Sequence, residues 1–147
     1  MGSDVLEVSV PAEPRFLKCI RAFVTPVFES NFGADDTARL VLAVDEACAN
    51  IIKHGQSWFL PTGRIALALT LSKRRIEIAV SNFCKEKDVE KIKPRDLEDL
   101  RPGGLGTHFI NEVMDSVEFR PDAQRAGRMT LVLTKAIRGK ETDEADD

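Results

Sequence analysis

The sequence predicts an α+β fold: a two-layer sandwich in which a mixed, mainly antiparallel sheet carries its helices on one face. Two observations lead there. Apolar residues alternate with polar or small ones at the strand period in residues 6–10, 65–71 and 76–81, whereas residues 15–30 and 35–54 repeat at the helical period. The elements then run strand, helix, helix, two strands, helix, two strands. Strands that follow one another in sequence favour antiparallel or mixed pairing, unlike the strict strand–helix alternation of a parallel sheet.

Leu6, Val8 and Val10 alternate with Glu7 and Ser9 as in a half-buried strand, and Pro11 and Pro14 punctuate the chain after it. From Arg15 to about Ser30, Leu17, Ile20, Val24 and Val27 share a helical face. Pro26 lies inside that pattern and, lacking a backbone donor, is expected to kink or shorten the helix. Phe16, Phe23 and Phe28 are expected to form an exposed face available to a partner, and a homodimer is left open. After a break at 31–34, Asp35 or Asp36 should cap the second helix, which should stop near Gly55. A loop with Trp58 and Pro61 leads to Ile65, Leu67, Leu69 and Leu71, then a polar turn at 72–75, then Ile76, Ile78 and Val80, a hairpin by its period. Residues 83–102 read as a long charged loop, and loops of that length inside compact domains tend to be functional or mobile. A third helix over 106–114 carries Phe109, Ile110, Val113 and Met114 as its stripe, and 117–119 and 129–134 supply two last strands. The whole reads as one domain, 1–137, followed by an acidic segment, 138–147, expected to be a disordered tail.

A chain of 147 residues can bury a core of its own, and no apolar run in it approaches membrane-spanning length. Its start has no basic segment leading into an apolar stretch, and Leu6 stands where myristoylation would need Ser or Thr. Cys19, Cys48 and Cys84 are scattered and odd in number, with no Cys-x-x-Cys and two histidines in all, which supports neither a disulfide framework nor a zinc site. A reducing cytoplasm is the expected location. The net charge is −3, and the lysines and arginines of 85–95 are interleaved with Glu86, Asp88 and Glu90. Such a mixed segment is no phosphate track, so neither direct nucleic-acid binding nor a membrane role is expected.

The chemistry concentrates in two places. Glu46 and Asn50 stand four residues apart among Leu40, Val44, Cys48 and Ile51, so one helix face offers a carboxylate beside a carboxamide. A carboxylate can take a proton from a hydroxyl, and an amide oxygen is a suitable hard ligand for magnesium. Taken alone, Glu46 reads as a solvated surface acid and gains a functional reading only with the asparagine and the glycine segment, whereas Asn50 has poor helix propensity and needs a reason to be there. The second place is Pro102-Gly103-Gly104-Leu105-Gly106-Thr107, immediately before the third helix. Glycines without Cβ atoms let backbone N–H groups turn toward a phosphate, and a helix start adds its dipole; a flexible helix start is the plainer alternative. No Lys-Ser/Thr follows, which excludes a P-loop, and no Gly-x-Gly-x-x-Gly follows the first strand, which excludes a Rossmann site.

In this order and on these elements, the motifs resemble the GHKL ATPase superfamily, and within it the stand-alone anti-sigma-factor serine kinases. The resemblance covers about residues 5–136 and implies the Bergerat-type ATP-binding fold. Glu46-x-x-x-Asn50 followed by His54 looks like the family's N-box, Gly103-Gly104-Leu105-Gly106 like its second glycine box, and Gly127-Arg128-Met129-Thr130 like its last box, with a threonine near the adenine. Length also suits the stand-alone branch. The resemblance implies ATP and Mg2+ as cofactors, Glu46 as catalytic acceptor of a serine proton, and Asn50 as magnesium ligand. It implies nucleotide contacts from Asn82, Gly103, Gly104, Leu105, Gly106, Thr107 and Thr130. The implied partners are a STAS-domain anti-anti-sigma factor and a sigma factor. One box departs: the family has Asp-x-Gly where this chain has Asn82-Phe83-Cys84. An asparagine oxygen can still accept from the adenine amino group, but without charge assistance, so weaker nucleotide affinity is expected. The rival reading is a non-catalytic binding module of the same fold. His54 reads as a partner for the helix dipole rather than a base, and Cys84 as a packing residue.

Overall fold

A computed structural model describes residues 3–54, 63–83, 108–121 and 128–137. The elements are β1 (Asp4–Pro11), a 3-10 turn (Pro14–Phe16), α1 (Leu17–Glu29), α2 (Ala34–His54), β2 (Arg64–Leu71), β3 (Arg75–Phe83), α3 (His108–Val113), β4 (Ser116–Pro121) and β5 (Arg128–Ala136). The five strands form one sheet in the order β1-β2-β3-β5-β4. Every pairing among them is antiparallel, so no parallel pair justifies the expected "mixed" sheet in the described residues. The β2–β3 pair is a hairpin, whereas β1 and β2 pair across the segment that holds both α1 and α2, and β3 and β5 pair across the segment that holds α3 and β4.

The strand period divides the sheet into two faces. Ile65, Leu67 and Leu69 of β2, Ile76, Ile78 and Val80 of β3, and Leu131 and Leu133 of β5 are buried and belong to the core. Against them lie Ile20, Val24 and Phe28 of α1, Leu40, Val44, Ala47, Cys48 and Ile51 of α2, and Ile110 and Val113 of α3. Each fully buried Leu or Ile contributes about 1.5–3 kcal/mol, which is what holds the helical layer to the sheet. The residues between them in sequence, among them Ala66, Ala68, Ala79, Ser81 and Thr130, occupy the opposite face of the sheet.

Three further expectations change, and Pro26 is accommodated. Phe28 is wholly buried, so Phe16, Phe23 and Phe28 do not form an exposed partner face. Phe28 falls four residues after Val24 and eight after Ile20, on the core stripe, while Phe16 and Phe23 are half-buried against that core. Pro26 sits within α1 without ending it. The residue whose carbonyl loses a donor, Ala22, is exposed, so water can take the donor's place. The N-terminus of α2 lies at Ala34 rather than at an aspartate: Thr37 N–H bonds the Gly33 carbonyl at 2.8 Å. Asp35 and Asp36 therefore lie in the first turn, where the helix dipole favours negative charge. Finally, the last two strands are longer than expected, at Ser116–Pro121 and Arg128–Ala136. The β2–β3 hairpin forms as expected, its turn closed by Ser72 N–H donating to the Arg75 carbonyl at 3.0 Å.

The turn out of α3 is tied to β5. Asp115 N–H donates to the Thr134 carbonyl at 2.9 Å, and Ala136 N–H donates to Asp115 Oδ2 at 2.7 Å. With Ile110, Val113 and Met114 buried, this fixes where α3 stands beside α2. Among the described residues no helix is long and apolar enough to cross a membrane. Residues 84–107, which hold most of the charged loop and the glycine segment, and the expected tail at 138–147 lie outside the described residues.

Candidate functional site

The long helix α2 has three faces, set roughly 120° apart by 3.6 residues per turn. Leu40, Val44, Ala47 and Ile51 point into the core. A second face meets α1, where the Arg21 guanidinium bonds Asp45 Oδ1 at 2.6 Å. The third face carries Arg39, Glu46 and Asn50, and it turns toward α3: the Arg39 guanidinium carbon lies 5.6 Å from the centroid of the Phe109 ring. Glu46 and Asn50 thus stand one turn apart on the side of α2 that looks to α3 and away from α1.

Glu46 is exposed and Asn50 half-buried, and neither side chain has a hydrogen-bond or ion-pair partner among the described residues. Asp45, one residue earlier, differs: its carboxylate is engaged by Arg21. The helix therefore uses one acid to tie α1 to α2, while the next has no partner among the described residues. A carboxylate next to an amide oxygen, neither engaged among the described residues, fits a site that handles a proton and a hard cation. Among the described residues no three His, Cys, Asp or Glu side chains gather to hold a metal. Magnesium has no need of such a cluster, since it usually keeps several waters and binds through one or two protein groups plus substrate phosphates.

Asn82 ends the inward series of β3: it shares strand parity with Ile78 and Val80, and its Cα partners are Ile65 on β2 and Met129 on β5. Its register position is that of the helix-facing residues of β3. That of Thr130 is not. Its Cα partner is Ser81, and the two hydroxyl oxygens are 3.1 Å apart on the opposite face of the sheet. The structure thus leaves Thr130 apart from Glu46 and Asn50, with the sheet between them. Its neighbour Met129 holds the helix-facing register position beside Asn82, a place the motif reading passed over. Counting parity back from Leu133 and Leu131 would have found it. Gly103, Gly104, Leu105, Gly106 and Thr107 lie outside the described residues, and α3 begins at His108 directly after them.

Cys48, one helical step from the pair, is sealed in the core. Burial, with Asp45 nearby as a lesser cause, pushes its thiol up to about 12 from an ordinary 9.0. That thiol is a packing group without nucleophilic use near neutral pH. Two concavities among the described residues lie apart from the pair: about 320 Å³ on the open sheet face beside Ala66, Ala68 and Ser81, and about 680 Å³ in the crease between α1 and α2 beside Phe32 and Thr37.

Comparison with known proteins places the chain in a family. The chain is 30% identical over 153 residues to the serine-protein kinase RsbW of Halalkalibacterium halodurans, covering 98% of this chain and 90% of that protein. It is 29% identical over 149 residues to the serine-protein kinase RsbW of Bacillus thuringiensis, covering 95% and 89%. The crystal structure of the RsbU and RsbW domains of a Mycobacterium tuberculosis protein matches with a TM-score of 0.62 at 18% identity. That match covers 90% of this chain and 32% of the other, and it supports the fold alone. The sequence profile described as the histidine kinase-like ATPase domain matches residues 10–135, nearly the whole described fold, and the chain belongs to that family, as a homologue of the RsbW serine-protein kinases.

Proposed function

We propose that this chain is an ATP-dependent serine-protein kinase and anti-sigma regulatory factor, acting on a STAS-type anti-anti-sigma antagonist in bacterial partner switching. One observation carries the reading: Glu46 and Asn50 stand one turn apart on the α3-facing side of α2, without a partner among the described residues, in a chain homologous to proteins named serine-protein kinases. Mg–ATP supplies the transferable phosphoryl group when bound. Asn50 Oδ1 would hold the magnesium, and the backbone N–H groups of Gly103, Gly104, Leu105, Gly106 and Thr107 would bind the phosphates. Asn82, at a helix-facing register position of β3, accepts from the adenine amino group. Thr130 has no direct part in it, because its hydroxyl faces away across the sheet.

Glu46 takes the proton of the partner's serine hydroxyl. The serine oxygen forms a bond to the γ-phosphorus while the bond from that phosphorus to the β,γ-bridging oxygen breaks, leaving ADP. The residues contribute position and electrostatics more than covalent chemistry. The product phosphoserine carries about −1.5 to −2 charge, enough to dissolve one interface and free this chain for a sigma factor. Such a cycle belongs in the cytoplasm.

The second reading, a binding module of the same fold without phosphoryl transfer, is favoured by Asn82 and Cys84 in place of Asp-x-Gly. Two measurements separate them. Titration calorimetry with Mg–ATP reports nucleotide binding, and transfer of labelled phosphate to a STAS partner reports catalysis. The kinase reading expects both in the wild type, and expects Glu46→Gln to retain binding while losing transfer. Equal transfer by Glu46→Gln and the wild type would remove Glu46 from its role. Absence of nucleotide binding at millimolar concentration, with a STAS or sigma partner still bound, would establish the binding module instead.

A further inference from the structure

The contact between Arg39 and Phe109 is the one described link between a charged side chain of α2 and the first turn of α3. Arg39 lies seven residues before Glu46, two helical turns and about 10 Å along the same face. Phe109 is the second residue of α3, half-buried and packed on the core, while Ile110, Val113 and Met114 behind it are buried. The far end of α3 is secured by that burial and by the Asp115 bonds to β5. Its near end is held toward the Glu46 face by a guanidinium whose own side chain is exposed. Arg39 is thus placed to hold α3 rather than to keep the domain folded.

We infer that Arg39 is a positioning residue: by stacking on Phe109 it sets the spacing between the first turn of α3 and the Glu46–Asn50 face, and so tunes nucleotide affinity. The inference rests on the phosphoryl-transfer reading for its consequence, though not for the contact itself. A guanidinium suits the task because its flat, weakly hydrated cation stays charged and stacks on an aromatic face, whereas a lysine ammonium holds its water more tightly. An exposed contact of this kind biases an equilibrium by about two- to fivefold.

The test uses the full chain and two readouts. In the nucleotide-free protein, Arg39→Ala and Phe109→Leu should each speed amide exchange in α3 by about two- to fivefold, the weight of an exposed cation–π contact, with the melting temperature little changed for Arg39→Ala. In the kinase assay, Arg39→Ala should raise KM for Mg–ATP by the same factor with kcat held, Arg39→Lys should recover part of it, and the double variant should lose no more than Phe109→Leu alone. Faster exchange in α3 without a change in KM would overturn the positioning role, as would additive losses in the double variant. A fall of more than tenfold in kcat would also overturn it, because Arg39 would then touch the reacting groups directly. If the wild type binds no Mg–ATP, the kinase reading fails first and the exchange data alone show that it was the reading, not the Arg39–Phe109 contact, that was wrong.

Discussion

Replacing Thr130 by valine separates a threonine that serves the nucleotide from one that serves the sheet. Ser81 is 5% exposed and its Oγ lies 3.1 Å from Thr130 Oγ1, across neighbouring strands on the face without helices. Valine keeps the branched shape and removes only the hydroxyl, so no cavity opens, but Ser81 is left with its one described side-chain partner gone. A buried hydroxyl without a partner costs about 1–3 kcal/mol. For a chain of this length each kcal/mol moves the melting temperature by about 2–4 °C, so Thr130→Val should melt roughly 2–12 °C lower. Removing both hydroxyls is close to neutral when the groups are replaced by apolar ones. The double variant Ser81→Ala/Thr130→Val should therefore be more stable than the single, a sign reversal that simple loss of contacts does not produce. Thermal unfolding followed by circular dichroism gives the cycle, and calorimetry on the same samples gives Mg–ATP affinity, which should stay at the wild-type value. A tenfold loss of nucleotide affinity with an unchanged melting temperature would refute the placement and return Thr130 to the adenine.

Three further outcomes are expected. Phe28→Ala should cost about 3–5 kcal/mol in urea unfolding, because the ring is wholly buried and meets Phe32 edge-on at 6.4 Å; a loss below about 1 kcal/mol would revive the exposed partner face. Asn82→Asp should tighten Mg–ATP binding about fivefold by restoring a charge-assisted bond of roughly twice the strength, and unchanged or weaker binding by calorimetry would take residue 82 out of the adenine pocket. Cys48 should resist alkylation in the folded chain at pH 8 while the exposed Cys19 reacts. Its folded pKa lies above the unfolded one, so the stability it contributes is complete below pH 9.0 and is lost as pH rises toward about 12. The decline, about 1.4 kcal/mol per pH unit at most, should be absent in Cys48→Ala, and equal alkaline slopes in both proteins would contradict the burial.

The sequence by itself determined most of the architecture. Alternation in β1, β2 and β3 and the 3.6 period of α2 are local properties, imposed by which side chains must leave water, and they appear in the structure with ends displaced by a residue or two. The same locality made Glu46 and Asn50 legible as a pair, since four residues on a helix are neighbours whatever else the chain does. It misled at Phe28, where a helix rich in apolar residues offers more than one stripe and only the sheet decides which is buried. At Thr130 the motif carried no information on which way a strand residue faces, which the register sets.

Tertiary structure alone decided the rest. The order β1-β2-β3-β5-β4 sets Asn82 beside Met129 and Ser81 beside Thr130, partners about fifty residues apart whose pairing depends on register rather than on any local preference. Packing decided that Asp45 binds Arg21 while Glu46, its neighbour, has no partner among the described residues, because one faces α1 and the other faces α3. Two adjacent acids look alike in a sequence; a helix turns them about 100° apart, and only the elements laid against each side give them different work.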